Sequence, residues 1–333
     1  EPTNEPIEPT NEPIEPTNEP IEPTNEPEEP TEIICPEKPT SDIIDISTEN
    51  YAYVNFKNIY GCNVNVDKRV DGDRCNLIIY HCQFNTIINN GNYIGGAIYI
   101  SLSSNKALTT DAKLIELCTF EGCTSTNGGA IYITSSQTKF TFEIIQNIFK
   151  NNKADKSGGA IYIGASSKCN IEKCQFINNK AIKGDDLFYD HNKTATATGV
   201  NFTMHNNIFE KNDFMNTDSN SISSLLYITM NSVSRFYYYD NEINIDKPIS
   251  NFYIIDSTGS QTGGTFVFSN NCISTEDENI LKSSNSNQLN IDFEKDFRSS
   301  CPTKEPTEPI KSIEPTNEPI EPTNEPIEPT NEP

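Results

Sequence analysis

Gly95-Gly96-Ala97-Ile98-Tyr99-Ile100, Gly128-Gly129-Ala130-Ile131-Tyr132-Ile133 and Gly158-Gly159-Ala160-Ile161-Tyr162-Ile163 are one hexapeptide repeated at spacings of 33 and 30 residues. A further 27 residues on, Asp185-Asp186-Leu187-Phe188-Tyr189 reads as a degenerate fourth copy. Repetition at this period indicates stacked units, each burying its apolar face only against its neighbours. Helical repeats share this period, so local chemistry has to decide. Paired glycines, Asn-rich turns and short Ile/Tyr/Phe/Val runs alternating with period two are strand and turn signals. No ten-residue stretch shows an apolar stripe at 3.6. Short strands in constant register predict an all-β fold, a parallel β-helix whose coils stack at about 4.8 Å. Ile98, Ile131 and Ile161 then form an interior ladder beside Ile100, Ile133 and Ile163, while the intervening tyrosines point outward.

Before each copy lies a second element centred on a phenylalanine: Cys82-Gln-Phe84, Cys118-Thr-Phe120, Asn147-Ile-Phe149 and Cys174-Gln-Phe176, with Asn207-Ile-Phe209 further on. Phe149, Phe176 and Phe209 continue as Phe-x-x-Asn to Asn152, Asn179 and Asn212; Ile87 and Cys123 stand at that position in the first two. The structural repeat residues are therefore Gly95, Gly96, Gly128, Gly129, Gly158 and Gly159 at a corner open to positive φ, with Asn152, Asn179 and Asn212 stacking their amides at another.

The pairing of Gly-Gly-Ala-Ile with Phe-x-x-Asn resembles the repeats of the polymorphic outer membrane proteins of chlamydiae, a type also found in surface proteins of some protists. The resemblance covers roughly Cys82 to Asn212, with weaker continuation at Phe266-Val-Phe-Ser-Asn-Asn271. It implies a right-handed parallel β-helix at a cell surface, serving adhesion or antigenic display. The chain departs from the bacterial proteins in lacking a C-terminal membrane barrel and in its Pro-rich ends.

Composition divides the 333 residues in three. Residues 1–32 and 302–333 hold 18 of the 21 prolines, while residues 40–301 hold one, Pro248, and all 16 glycines. The ends repeat Glu-Pro-Thr-Asn-Glu-Pro-Ile. Two prolines per heptad exclude a coiled coil, leaving disordered, extended polyproline-II linkers, either plain acidic spacers or O-glycosylated stalks. Residues 33–301 are the β-helix domain. The ends carry -11 and -6, so the core holds the remaining -7 of the total -24. A mildly acidic core offers no basic stripe for phosphates, so no nucleic-acid partner is expected. No apolar run has the roughly 18 residues needed to span a membrane in this segment. The chain starts and stops inside the heptad repeat, as expected of a piece of a longer protein with its targeting and anchoring parts elsewhere.

Ten cysteines and the sequons at Asn192 and Asn201 favour a secretory route with disulfides and N-glycans. Cys82, Cys118 and Cys174 sit two residues before a repeat phenylalanine, within bonding range if on neighbouring rungs, the alternative to disulfides being a ladder of free buried thiols. Cys118/Cys123 and Cys169/Cys174 share a spacing suited to bridging a turn, and Cys35 and Cys301 stand where the domain meets its linkers, as if clamping the ends. No Cys-x-x-Cys pair accompanies the three histidines, so no metal and no cofactor are expected. Asp185-Asp186 is the one tempting catalytic pair, but it replaces a repeat glycine pair and no Gly-His-Gly or Arg-x-Lys follows it. Asp71-Gly-Asp73 with Arg74 has the chemistry of a calcium or acidic-sugar contact but reads more simply as an exposed turn. The expected protein is a non-catalytic, extracellular or cell-surface β-helix for adhesion, display or coat structure. The alternative is a carbohydrate-active lyase or hydrolase. The candidate ligand-contact row is Tyr99, Tyr132, Tyr162 and Tyr189, facing a host-cell or matrix protein or a glycan. The competing reading is that these rings only stabilise the sheet or lie under a loop.

Overall fold

The computed structural model describes residues 32–40, 42–51, 54–55, 57–73, 76–89, 94–102, 113–135, 141–165, 168–190, 201–212, 223–229, 235–246, 252–256, 265–274 and 297–298. The expectations for the heptad repeats, Asn192, Arg74 and Cys301 lie outside these residues. Contacts divide the chain into Glu1–Ile34 and Cys35–Pro333, and the fold below belongs to the second unit.

Among the described residues all regular structure is strand. The coil from Lys113 shows the plan: Lys113–Glu116, a corner at Leu117 and Cys118, Thr119–Glu121, a corner at Gly122 and Cys123, Thr124–Asn127, a corner at Gly128 and Gly129, then Ile131–Ser135. Equivalent strands of successive coils pair in parallel. The Lys113–Glu116 and Thr119–Glu121 faces each stack nine strands, and the Ile131–Ser135 face stacks eight. The expected parallel β-helix is the observed architecture.

Register follows side-chain identity. Ile98, Ile131 and Ile161 are directly opposed, as are Ile100, Ile133 and Ile163, and all six are fully buried. On the second face Phe84, Phe120, Phe149, Phe176 and Phe209 form an interior stack with ring centroids 4.8–5.0 Å apart and planes within 13°. The first face adds Phe202, Phe236 and Phe266, at 4.7 and 5.1 Å. In-register stacking puts like shapes in contact on every rung, and each fully buried ring contributes about 1.5–3 kcal/mol.

The corners are set by backbone geometry. One residue in the left-handed region, such as Leu117 (φ 55°), Gln146 (φ 54°) or Lys173 (φ 54°), turns each first corner so that the next side chain points inward. The two glycines of the third corner do different work. Gly128 has φ +65°, whereas a Cβ on Gly129 would lie 1.9 Å from the Gly159 carbonyl oxygen of the next coil. The first is needed for its torsion and because a Cβ there would lie 2.3 Å from the Ile131 carbonyl oxygen of its own coil, the second for the closeness of neighbouring rungs.

The degenerate fourth copy is shifted by one residue from the sequence alignment. Ile161 pairs with Leu187, Tyr162 with Phe188 and Ile163 with Tyr189. Gly184, with φ +65°, is the true fourth corner glycine, and Asp185 stands where the second glycine would be. Its carbonyl oxygen lies where a Cβ on Gly159 would project, 2.2 Å from it.

Candidate functional site

The shift in register changes the aromatic row. Its members are Tyr99, Tyr132, Tyr162, Phe188 and Tyr227, stacked at 4.5–5.7 Å with planes within 21°. Tyr189 is displaced from the row into the interior, packed against Phe202 at 4.5 Å. The other rings lie on the outer side of the sheet, as expected, yet Tyr132, Tyr162, Phe188 and Tyr227 are only 4–9% exposed, and with Ile94 and Tyr99 they make a second apolar cluster. Parallel stacking turns both faces of each internal ring toward its neighbours. A sugar packs on a free ring face, so the row presents edges rather than platforms. Burial, the leading cause, raises Tyr132 and Tyr162 above the ordinary phenol range.

Charges bracket the row. In register, Asp71 opposes Tyr99 at one end and Asp256 opposes Tyr227 at the other. Arg69 lies over the Tyr99 ring at 5.5 Å and Lys183 over Tyr227 at 5.0 Å, placing a cation against each terminal π-face. Arg69 also grips Asp71 with two nitrogens, at 2.6 and 2.7 Å. Asp71, expected in an exposed turn, instead lies in the strand Val70–Asp73 with its side chain largely buried, and its ion pair caps the row.

Inside the coils a polar ladder runs through the position two residues before each phenylalanine of the second face and before Ile243 and Ile273, which continue its register. The Cys118 N–H donates to Asn147 Oδ1 at 2.9 Å, Cys174 N–H to Asn207 Oδ1 at 2.9 Å, Asn207 N–H to Asn241 Oδ1 at 3.0 Å and Asn241 N–H to Asn271 Oδ1 at 3.0 Å. The sequence marks this position through its cysteines, but the asparagines sharing it went unread as a ladder. A second ladder links Cys123, Asn152 and Asn179: Cys123 N–H donates to Asn152 Oδ1 at 3.0 Å, and Asn152 N–H to Asn179 Oδ1 at 3.0 Å.

Asn212 does not join it. Before Asn152 and Asn179 the chain turns at Asn151 (φ 55°) and Asn178 (φ 51°), but Lys211 continues its strand and pairs with Ile245. Asn212 is left exposed, its N–H on Asn178 Oδ1 at 2.9 Å, and Lys211 points inward instead. Its Nζ lies 2.9 Å from Asp185 Oδ2, with both side chains fully buried, and it also donates to the Asn179 carbonyl. Asp185 Oδ1 accepts from Ala181 N–H at 2.8 Å and Oδ2 from Ser223 Oγ at 3.1 Å. Asp186 Oδ1 accepts from Asn179 Nδ2 at 2.9 Å. Burial pushes Asp186 up to about 7, partly offset by the Lys211 charge, and burial likewise raises Asp185. The acidic pair is therefore an interior cluster with no access for a polymer substrate.

Cysteines fall into two groups. Cys35 and Cys62 form a disulfide, the expected clamp at the first end, and Cys272 is also disulfide-bonded. Cys82, Cys118, Cys123, Cys169 and Cys174 are buried free thiols, so the expected bridges within Cys118/Cys123 and Cys169/Cys174 are absent. Cys82 and Cys118 do lie on adjacent rungs, with Cys82 N–H on Cys118 Sγ at 3.4 Å; they serve as ladder members. Burial, first among the causes, pushes Cys123 up to about 11 and Cys174 to about 12. The sequon residue Asn201 opens the strand Asn201–His205 and is exposed. Among the described residues no cluster of His, Cys, Asp or Glu has the makings of a metal site, and no helix is long and apolar enough to cross a membrane.

Comparison with curated proteins and with solved structures finds no match. A family model described as the Chlamydia polymorphic membrane protein repeat matches residues 148–164. That span begins at the Phe149 strand, takes in Asn152 and the glycine corner at Gly158 and Gly159, and ends at Gly164. The segment thus carries the chlamydial polymorphic membrane protein repeat, and the repeat is one passage through the second and third corners of the β-helix.

Proposed function

We propose that this chain is a non-catalytic β-helix exposed at a cell surface or released from it, acting in adhesion, display or coat structure. The observation that carries the reading is the coincidence of the membrane-protein repeat with the second and third corners of one coil, residues 148–164. The polar chemistry supports it. Among the described residues, the convergent carboxylates Asp185 and Asp186, the ladder amides and Lys211 lie inside the coils, satisfying one another, rather than in an open cleft where a substrate would bind. A partner, whether host-cell protein, matrix protein or glycan, meets strand faces and turns held rigidly by the ladders. The exposed Asn201 is suited to carry an N-glycan on the same route.

Antibody against the β-helix tests this on intact cells expressing the protein. Staining without permeabilisation is the expected result. Signal that appears only after permeabilisation contradicts surface exposure.

A further inference from the structure

We propose that Lys211 and Asp185 are the two halves of an intramolecular isopeptide crosslink, formed by condensation of the lysine amine with the aspartate carboxyl. Four observations converge on this pair. Nζ and Oδ2 are 2.9 Å apart, and both side chains are fully buried, so the nucleophile is held in contact with an oxygen carried by the carbon it attacks. Asp185 Oδ1 accepts the Ala181 N–H at 2.8 Å, a fixed donor for the oxygen that gains charge when the carbon becomes tetrahedral. Oδ2, the oxygen that leaves, accepts from Ser223 Oγ at 3.1 Å. The Asn179 carbonyl accepts from Nζ and is itself fixed, because the Asn179 amide donates to Asp186 Oδ1 at 2.9 Å.

The step balances without any co-reactant. A proton passes from the ammonium to the carboxylate, cancelling both buried charges. The amine nitrogen attacks Cγ, the N–Cγ bond forms, the Cγ–Oδ2 bond breaks, and Oδ2 departs as water with two protons that began on Nζ. Oδ1 remains as the amide oxygen on the Ala181 N–H, and the remaining amide hydrogen still points to the Asn179 carbonyl. Proximity of this kind replaces a bimolecular encounter with an intramolecular one, with effective molarities of about 10⁵ M or more. A buried ion pair recovers its desolvation cost poorly, whereas the amide carries no charge.

The position in the fold gives the bond a purpose. Asp185 stands where the stack of second corner glycines ends, and Lys211 where the left-handed corner is missing. The crosslink would staple the interior of the β-helix where its repeat is least regular.

The test is the mass of the full chain, reduced to open its disulfides, followed by a tryptic map. The expected result is a chain lighter by one water, with the Lys211 and Asp185 peptides recovered as one branched species and trypsin unable to cut after Lys211. Lys211→Arg keeps the cation but lacks the amine, and should restore the full mass. Recovery of both wild-type peptides as separate linear species overturns the proposal, even if a water is lost elsewhere by succinimide or pyroglutamate formation. The wild-type map decides the question if the variant fails to fold.

Discussion

Asn179 Oδ1 holds two donors from the preceding coil, the Asn152 backbone N–H at 3.0 Å and the Asn152 side-chain amide at 2.9 Å. The Asn179 amide in turn donates to the Phe149 carbonyl at 2.9 Å. With Asp186 Oδ1, which accepts from the same amide at 2.9 Å, one side chain therefore satisfies four groups at a fully buried corner.

Asn179→Ala removes a partner from each of these groups and leaves the Asn152 backbone N–H without its acceptor, while the Asn152 amide keeps the Phe120 carbonyl. With about 1–3 kcal/mol for each buried group left unsatisfied, the expected loss is roughly 2–5 kcal/mol, read from the urea unfolding midpoint. Asn212→Ala, at the exposed position, should move the midpoint by less than about 0.5 kcal/mol. Equal effects would contradict the ladder assignment.

The corner glycines separate torsion from contact. Gly122 has φ +65°, but the nearest atom to an added Cβ is 3.5 Å away; at Gly129 it is a backbone oxygen at 1.9 Å. Gly122→Ala should cost about 1–2 kcal/mol for the left-handed conformation alone, and Gly129→Ala clearly more, since rungs must separate to admit the methyl. Thermal unfolding of both variants gives the comparison.

Stability should depend on pH through Asp186. Its folded value near 7 exceeds the unfolded value of about 3.9, so the folded state holds the extra proton between those limits. The contribution is complete below about pH 4, declines as pH rises toward 7 and is lost above it. Asp186→Asn keeps an acceptor for Asn179 and should flatten that decline. An unchanged slope in urea midpoints between pH 5 and 8 would remove Asp186 as its source.

The five buried thiols should resist alkylation. At neutral pH burial keeps Cys123 and Cys174 protonated, and only the thiolate reacts. Iodoacetamide should leave all five unlabelled in the native protein and label them in urea. Rapid native labelling at Cys118 or Cys174 would mean that these ladder positions are open.

What the sequence made legible was whatever repeats with little variation. Ile98, Ile131 and Ile161 gave the interior ladder and its register, and the phenylalanines marked the second face. The aromatic row was read one residue out at its end because Asp185-Asp186 was aligned with both glycines, when Gly184 supplies the left-handed corner and only Asp185 replaces a glycine. Asn212 was misassigned for a related reason: the Phe-x-x-Asn pattern does not reveal that Lys211 keeps extended torsions. A buried lysine has no signature in a single sequence, since its partner Asp185 is 26 residues away. Tyrosine burial was equally hidden, because alternation gives the side of the sheet and not what packs against it.

Register is the central claim, and paired cysteines read it directly. Glu121 and Lys150 are opposed on adjacent rungs, joined by an ion pair of 2.9 Å, while Lys150 in turn opposes Ile177. Glu121→Cys with Lys150→Cys should form a disulfide under mild oxidation, as the rung spacing lies within bonding range. Glu121→Cys with Ile177→Cys, two rungs apart, should not, and the parent protein provides the background. A disulfide in the second pair but not in the first would contradict the parallel stacking on which the whole account rests.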